Sequence, residues 1–260
     1  MRVEVRGLTV RFGDQAALKG LDLDLFGDGA QVVALIGPSG SGKSTLIRVL
    51  KGLVRPTEGE VRLDGQPLRH GDGKALREAQ RATGMVFQQF QLVSRLTALE
   101  NVLLGRVPHL DPVRALLRRF SPRDLEVALE LLDRVDLLEH AWKRADTLSG
   151  GQQQRVGIAR ALAQEPRLLL ADEPISALDP KNAKAVMDLL LELVRERGIP
   201  LLLTLHHLDL VRAHADRVVA LKDGALFFDG PPALLTPERE AELYFGEGLE
   251  AGEASPRLSA

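Results

Sequence analysis

A run of apolar residues that leads directly into a glycine-rich loop constrains the fold more than any other part of the sequence. The run occupies residues 32–36, and the loop, GPSGSGKST, occupies residues 37–45. Its GxxxxGKS spacing predicts a buried strand, a tight loop and a helix, in which the glycines let backbone N–H groups surround phosphate oxygens. The candidate phosphate-binding residues are Gly37, Ser39, Gly40, Ser41, Gly42, Lys43, Ser44 and Thr45.

Two side chains of this loop add chemistry to the backbone cradle. Lys43 can reach the β and γ oxygens of a nucleoside triphosphate, and the Ser44 hydroxyl can bind Mg²⁺. A chance match in a glycine-rich turn is the alternative. The strand before the loop and the helical pattern after it favour the phosphate site, and the alternation of strands and helices predicts an α/β fold with a mainly parallel sheet.

A second anion-binding helix start is predicted at LSGGQ, residues 148–152. Unpaired N–H groups and the helix dipole favour negative charge there. Taken alone, the motif is an ordinary helix cap. Because it and the glycine-rich loop cannot serve the same nucleotide, the pair suggests an ATP bound between two copies of the chain. The candidate residues are Ser149, Gly150, Gly151 and Gln152.

A third motif, LLLADEP at residues 168–174, places two acidic residues at the end of an apolar strand. Ligands of open α/β sheets bind at the carboxyl edge, where Asp172 is expected to hold Mg²⁺, largely through its water shell. Glu173 is then placed to orient or deprotonate the water that attacks the γ-phosphate. The alternative is a helix-capping pair in a loop, and the glycine-rich loop argues against it.

The remaining pattern divides the chain into three parts. Alternating patterns and short apolar runs predict strands, with intervening helices, before residue 89 and after residue 165, whereas residues 89–164 carry almost only helical signals. We therefore predict a discontinuous nucleotide-binding core over residues 1–88 and 165–237 and an inserted helical subdomain over residues 89–164. A short tail over residues 238–260 is expected to have a flexible end.

Composition excludes several classes of protein. The 260 residues carry a formal net charge of −2, which gives no electrostatic preference for nucleic acid. There are no cysteines, so disulfides and Cys-based zinc sites are excluded. No apolar run reaches the roughly 18 residues that a membrane span requires, and the first ten residues have a strand pattern rather than that of a signal peptide. We expect a cytoplasmic protein.

With all three motifs in one chain, residues 1–235 resemble the nucleotide-binding subunit of an ATP-binding-cassette (ABC) transporter. The resemblance implies a RecA-like P-loop core, an N-terminal antiparallel β subdomain and an inserted α-helical subdomain. It implies ATP and Mg²⁺ as ligands, an ATPase activity, and a homodimer that closes around two ATP molecules. Lys43, Glu173 and His206 are its implied catalytic residues.

The resemblance also assigns individual positions. Phe12 falls where the family stacks an aromatic ring on adenine, the alternative being a strand residue that faces the core. Gln88 falls at the glutamine that contacts Mg²⁺ or the attacking water, and a solvated amide is the alternative. Together with Ser44 and Asp172 it completes the implied metal set. His206 corresponds to the histidine that contacts the γ-phosphate, and His207 is expected to be structural.

The resemblance extends to partners. It implies integral-membrane permease subunits, an indirect periplasmic or extracellular solute-binding protein, and a peripheral position on the cytoplasmic face of the membrane. Residues 86–106 and the segments around LSGGQ and His206 are most similar to the phosphonate-import branch. Import of another solute, a non-transport ABC ATPase, and an independent P-loop kinase or GTPase are the alternatives.

One feature is left over. Residues 114–123 contain four arginines. They indicate either an anionic partner or, as we prefer from the sequence, a solvated face of the helical subdomain.

Overall fold

The computed structural model describes residues 1–27, 29, 31–205 and 207–245. The strands are β1 Val3–Phe12, β2 Gln15–Leu25, β3 Val32–Ile36, β4 Glu58–Leu63, β5 Gln66–Pro67, β6 Thr83–Val86, β7 Leu168–Ala171, β8 Leu201–Thr204, β9 Arg217–Lys222 and β10 Ala225–Gly230. The α-helices are α1 Lys43–Leu50, α2 Gly73–Ala82, α3 Ala98–Leu104, α4 Pro112–Leu116, α5 Pro122–Arg134, α6 Gly150–Ala163, α7 Pro180–Glu196, α8 Leu208–His214 and α9 Pro237–Phe245.

The central sheet has six strands in the order β10-β9-β3-β8-β7-β6. Its first five strands along the chain are mutually parallel, and only β10 runs antiparallel, beside β9. The β9–β10 hairpin turns at Asp223 and Gly224, which both have positive φ, as its predicted two-residue turn requires. Because parallel strands end at one edge, the loops after β3, β6, β7 and β8 lie close together.

A second sheet is antiparallel, in the order β2-β1-β4-β5. It corresponds to the antiparallel β subdomain that the resemblance implies. The alternating pattern of β1 is explained by the packing of one face of this sheet on the core, where Val3, Val5, Leu8 and Val10 are buried.

The two faces of the central sheet belong to two apolar cores. On β3, Val32, Ala34 and Ile36 point into a core shared with α3, α5, α6 and α7. Val33 and Leu35 point into the other core, which contains α1 and the antiparallel sheet. A continuous apolar run therefore occurs where a strand is buried on both faces.

The segment between β6 and β7 contains helices α3 to α6 and no strand, as predicted. Capping boxes begin α3 at Thr97 and Glu100 and α5 at Ser121 and Asp124. Asp124 also accepts a hydrogen bond from Arg106 Nε at 2.9 Å, and both side chains are buried. These contacts fix the relative positions of α3 and α5.

The C-terminal region differs from the prediction of a tail beginning at residue 238. Residues 237–245 form α9, which is held by the buried side chain of Leu243. The predicted flexible end, residues 246–260, lies outside the described residues. Across the part of the chain that the structure describes, no helix combines the length and apolarity needed to cross a membrane.

Candidate nucleotide-binding site

The glycine-rich loop leaves β3 in a shape that only glycine allows at two positions. Gly37 has φ 139°, and a Cβ there would collide with the Leu221 carbonyl oxygen of β9. Gly42 has φ 100°, and its Cβ would lie 2.6 Å from the Ala17 oxygen of β2. The loop is therefore packed against both sheets, while Ser39 and Gly40 at its tip are exposed.

The N-terminus of α1 is the part of this loop best suited to bind an anion. Gly42 caps the helix without a side-chain hydrogen bond, whereas α2 to α7 all begin at a Ser, Thr or Asp that caps them. The first N–H groups of a helix have no partner within the helix. The residues of that first turn, Lys43, Ser44 and Thr45, can thus donate backbone hydrogen bonds to phosphate oxygens.

Lys43 is buried beneath the loop and donates to the carbonyl oxygens of Gly37, at 2.7 Å, and Pro38, at 2.9 Å. Burial lowers the pKa of its ammonium group, and the negative charges of Glu173 and Asp172 partly oppose that effect. An ammonium with poor solvation gains more from an added anion than an exposed one does. The Ser41 hydroxyl is also buried, with no hydrogen-bond partner among the described residues.

Asp172, directly after β7, lies beside the glycine-rich loop. Ser44 Oγ donates to Asp172 Oδ1 at 2.9 Å, and Thr204 Oγ1 donates to the same oxygen at 3.3 Å. Asp172 is only 6% exposed. A hydroxyl and a carboxylate oxygen therefore converge at the start of α1, and oxygen donors of this kind are the ones that Mg²⁺ prefers.

Glu173 has a strained backbone and hydrogen bonds to Thr204 and Gln88. Its φ is 47°, a left-handed conformation that is uncommon for glutamate. Its N–H donates to Thr204 Oγ1 at 2.6 Å, and its Oε2 accepts from Gln88 Nε2 at 2.9 Å. Gln88 is exposed and makes no hydrogen bond to Asp172 or Ser44 within the described part of the chain. It therefore approaches the predicted water-activating carboxylate rather than the predicted metal ligands.

Phe12 ends β1 as an exposed aromatic residue, with 56% of its surface accessible. The alternative that it faces the core is therefore wrong. An exposed ring at this edge is available to stack on a base, which favours the adenine assignment.

The LSGGQ residues form the start of α6. Ser149 Oγ accepts from the Gln152 N–H at 3.3 Å, and Gln152 Oε1 accepts from the Ser149 N–H at 3.0 Å. Gly150 faces Phe90 and Leu178, and Gly151 faces Asn182. No hydrogen bond or ion pair within the described ranges joins residues 149–152 to residues 37–45. One chain thus presents the two predicted half-sites separately.

The predicted switch histidine, His206, lies outside the described residues. Its neighbours Leu205 and His207 line a cleft of about 400 Å³ between the β8 end and the residues that follow β7. Glu173, Ser176 and Leu178 form the other side of this cleft.

The sequence prediction missed three contributors to the site. Thr204 connects Asp172 and Glu173, and Arg160 of α6 donates to the carbonyl oxygens of Phe90 and Gln91, just after Gln88. Tyr244 of α9 places its hydroxyl beside the backbone of Gly37, and burial raises the pKa of this phenol. Thr204 was detectable as the polar last residue of an apolar strand. Neither Arg160 nor Tyr244 belongs to a local motif that would have revealed it.

Comparison with known proteins agrees with this geometry. The family model for the ABC transporter matches residues 18–176, more than half of the chain. The chain therefore belongs to the ABC transporter family, and it is an ATPase of that family. The predicted family, α/β fold class and enzymatic activity are confirmed.

Individual relatives give a more specific comparison than the family model does. The chain is 62% identical over 259 residues to the phosphonates import ATP-binding protein PhnC 1 of Synechococcus sp. (strain JA-2-3B'a(2-13)), covering 100% of this chain and 98% of that protein. It is 48% identical over 243 residues to PhnC of Wolinella succinogenes, covering 93% and 88%.

Two solved structures illustrate the shared fold. The ATP-binding cassette MJ0796, a dimer bound to ADP and Pi, has a TM-score of 0.73 and 37% identity, covering 88% of this chain and 98% of that one. CbiO1 from Clostridium perfringens has a TM-score of 0.76 and 29% identity, covering 94% and 95%.

Proposed function

We propose that this chain hydrolyses ATP to drive import of phosphonate or a closely related phosphorus oxyanion. The observation that carries the proposal is the 62% identity, over the whole chain, to a phosphonates import ATP-binding protein. The similarity includes the helical segment after Gln88, the part of the sequence where we expect the membrane partner to bind.

The ATP site is completed by a second copy of the chain. Residues 37–45 and residues 149–152 have different neighbours within one chain: the first pack against β2 and β9, the second against Phe90, Leu178 and Asn182. In the dimer, Ser149, Gly150, Gly151 and Gln152 of the opposite copy would approach the γ-phosphate bound by the glycine-rich loop. A helix N-terminus is suited to that contact because its N–H groups point at the anion. The dimeric structure of the similar cassette MJ0796 supports a dimer for this chain.

Hydrolysis requires a water molecule in line with the γ-phosphorus. Glu173 is the residue proposed to orient this water and accept its proton, and its contact with Gln88 ties the carboxylate to the segment that follows β6. Lys43 and His206 would stabilise the charge that develops on the phosphoryl oxygens. Phe12 would hold the adenine ring.

Mg²⁺ fits the oxygen donors that meet at the start of α1. Ser44 and Asp172, whose oxygens are 2.9 Å apart, would hold it, and Gln88 would have to turn away from Glu173 to join them. When bound, the ion would neutralise part of the phosphate charge. Few protein ligands are needed, because Mg²⁺ keeps several waters and binds phosphate oxygens.

The chain would act with permease subunits in the membrane, from the cytoplasmic face, and an external solute-binding protein would deliver the cargo. ATP-driven closure of the dimer and its opening after hydrolysis would move the permease between its two orientations. The helical segment of residues 89–164 would carry the permease contact.

The test is reconstitution with the cognate permease and binding protein in lipid vesicles, followed by ATPase assays with phosphonate, phosphite, phosphate, a sugar and an amino acid. We expect phosphorus oxyanions alone to raise the hydrolysis rate. Stimulation by the sugar or the amino acid, and not by any phosphorus oxyanion, would exclude the proposed cargo and leave the ATPase assignment intact.

A further inference from the structure

The short helix α4 exposes apolar side chains that no part of the described chain covers. It begins at Asp111, whose carboxylate accepts from the N–H groups of Val113 and Arg114, both at 3.0 Å. None of its residues is buried. Val113 is 66% exposed, Leu116 84% and the next residue, Leu117, 54%. Their i, i+3 and i+4 spacing places them on one side of the helix.

Arginines flank this apolar side. Arg114, Arg118, Arg119 and Arg123 are all exposed. Arg114 has an ion pair with Asp111 at 3.4 Å and Arg123 one with Glu126 at 3.6 Å. Arg118 and Arg119 have no side-chain hydrogen bond or ion pair in the ranges that the structure describes. We call residues 110–123 the basic-apolar segment. It holds four arginines and one aspartate in a chain whose formal net charge is −2.

Contacts with the rest of the chain hold both ends of the segment. Its exposed side chains therefore have a defined position, unlike those of a loose loop. Before it, His109 lies 2.9 Å from the Gln164 carbonyl oxygen and 2.7 Å from Arg81. At its C-terminal end, Phe120 packs against the core, and Ser121 caps α5. The fold therefore holds Leu116 and Leu117 outward at a defined place. Val113, Leu116 and Leu117 belong to neither apolar core.

These observations change the interpretation of the arginines. A solvated face has no reason to combine unpaired guanidinium groups with leucines that are more than half exposed. A short helix with an apolar side and flanking arginines matches a membrane interface, where anionic headgroups lie above acyl chains. Long arginine side chains can reach headgroups while neighbouring apolar residues enter the boundary.

We propose that the basic-apolar segment binds the anionic surface of the membrane that holds the permease. The inference rests on the proposed function, because that function places the chain beside a membrane. Three apolar side chains and two free arginines give weak binding, since each basic residue strengthens it by about fivefold. Binding to the permease would hold the chain at the membrane, and the lipid contact would orient it there.

The test measures binding of the isolated full chain to vesicles of phosphatidylcholine alone and of phosphatidylcholine mixed with phosphatidylglycerol, at low and high salt. We expect binding only to the mixed vesicles, weakened by salt. Leu116→Ser with Leu117→Ser, and separately Arg118→Gln with Arg119→Gln, should each reduce partitioning by at least fivefold. Leu53→Ser with Arg55→Gln, an exposed pair after α1, is the matched control and should bind as the parent does.

Absence of binding to phosphatidylglycerol, or equal binding by parent and variants, would overturn the proposal. If the variants bind mixed vesicles normally but lose affinity for the permease in phosphatidylcholine, the segment contacts the permease and the proposal is equally overturned. Thermal unfolding and basal ATP hydrolysis of each variant confirm that the fold is intact. Phosphonate-stimulated hydrolysis with the parent chain tests the proposed function separately, so the failure of one does not imply that of the other.

Discussion

Thr204 joins the two acidic residues on which the proposed chemistry depends. Its hydroxyl donates to Asp172 Oδ1 at 3.3 Å and accepts from the Glu173 N–H at 2.6 Å, and its side chain is fully buried. The accepted hydrogen bond stabilises a backbone conformation of Glu173 that is otherwise unfavourable. We therefore regard Thr204 as a positioning residue that acts through Asp172 and Glu173.

Replacing Thr204 by valine keeps the side-chain shape but removes both hydrogen bonds. The part-buried hydrogen bond from the Glu173 N–H would be lost, which costs about 1 kcal/mol of stability. We expect kcat for ATP hydrolysis to fall about tenfold or more, with a smaller change in KM, because Glu173 is displaced. Thr204→Ser retains the hydroxyl and should restore most of kcat. An equal loss of kcat in Thr204→Ser, which retains the hydroxyl, would contradict the assignment of the effect to the two hydrogen bonds.

Glu173→Gln tests the proposed general base directly. The amide has the same shape but cannot accept a proton, and a general base contributes roughly 10²- to 10⁴-fold to a rate. We expect phosphate release to fall by that order and gel filtration with ATP to show an accumulated dimer. Glu139→Gln, at an exposed position, serves as the control. Near-normal turnover by Glu173→Gln would remove this residue from the mechanism.

At the scale of single elements, the N-terminus of α6 has two roles. Ser149 and Gln152 cap the helix within one chain, and the proposed dimer requires the same end to face a phosphate of the other copy. A substitution that merely removes the cap would confuse stability with dimerisation. Aspartate separates the two roles, because it caps helices as well as serine does but carries a negative charge.

For Ser149→Asp we expect an unchanged melting temperature and loss of the ATP-dependent dimer, since the carboxylate would repel the γ-phosphate. Light scattering with and without ATP, in the Glu173→Gln background, measures this. Ser149→Asn, which caps the helix without adding a charge, is the control and should dimerise normally. If both variants dimerise, the N-terminus of α6 does not contact the nucleotide.

The junction of α1 and α2 contains a partly buried cation with no carboxylate partner among the described residues. Lys51 Nζ donates to the carbonyl oxygens of Gln80, at 2.7 Å, and Thr83. Burial lowers the pKa of this lysine from 10.5 to about 8. The unfolded chain therefore binds more protons than the folded chain between these two values, so this group makes stability rise with pH across that range.

Lys51→Met should remove that dependence. Between pH 8 and pH 10.5, the free energy of unfolding of the parent should rise relative to that of the variant. The rise should be on the order of 3 kcal/mol at most. Urea unfolding at several pH values measures it. If the free energies of unfolding of parent and variant change in parallel with pH, Lys51 has an ordinary pKa.

The strength of the local signal decided which elements could be predicted. Strands buried on both faces, such as β3 and β7, and helices with a capping box, such as α3, are recognisable without tertiary information. Helix α2 has no fully buried residue, and α9 has only Leu243, so their apolar patterns are too weak to identify. These helices form because tertiary contacts hold them, which a local pattern does not reveal.

For the whole molecule, the strand order explains why the site was only partly predictable. The sequence indicated that Lys43, Ser44, Asp172 and Glu173 each follow a buried strand. It did not indicate that β8 lies between β3 and β7, which is what inserts Thr204 between the two motifs. Likewise, the contact between Gln88 and Glu173 depends on β6 being the neighbour of β7.

That neighbouring position of β6 and β7 also limits how such a protein can diversify. Residues 89–164 leave the sheet after the carboxyl end of β6 and return before the amino end of the adjacent, parallel β7, so they form a single crossover between neighbouring strands. Two genetic crossovers, one in each strand, would exchange every residue proposed to meet the permease and the lipid. They would leave the glycine-rich loop, Asp172 and Glu173 in place. The apolar face shared with the sheet and the polar contacts at its border, such as the Arg134–Glu196 ion pair, would have to match. Recombination between relatives that meet this condition could direct the ATPase to a new permease.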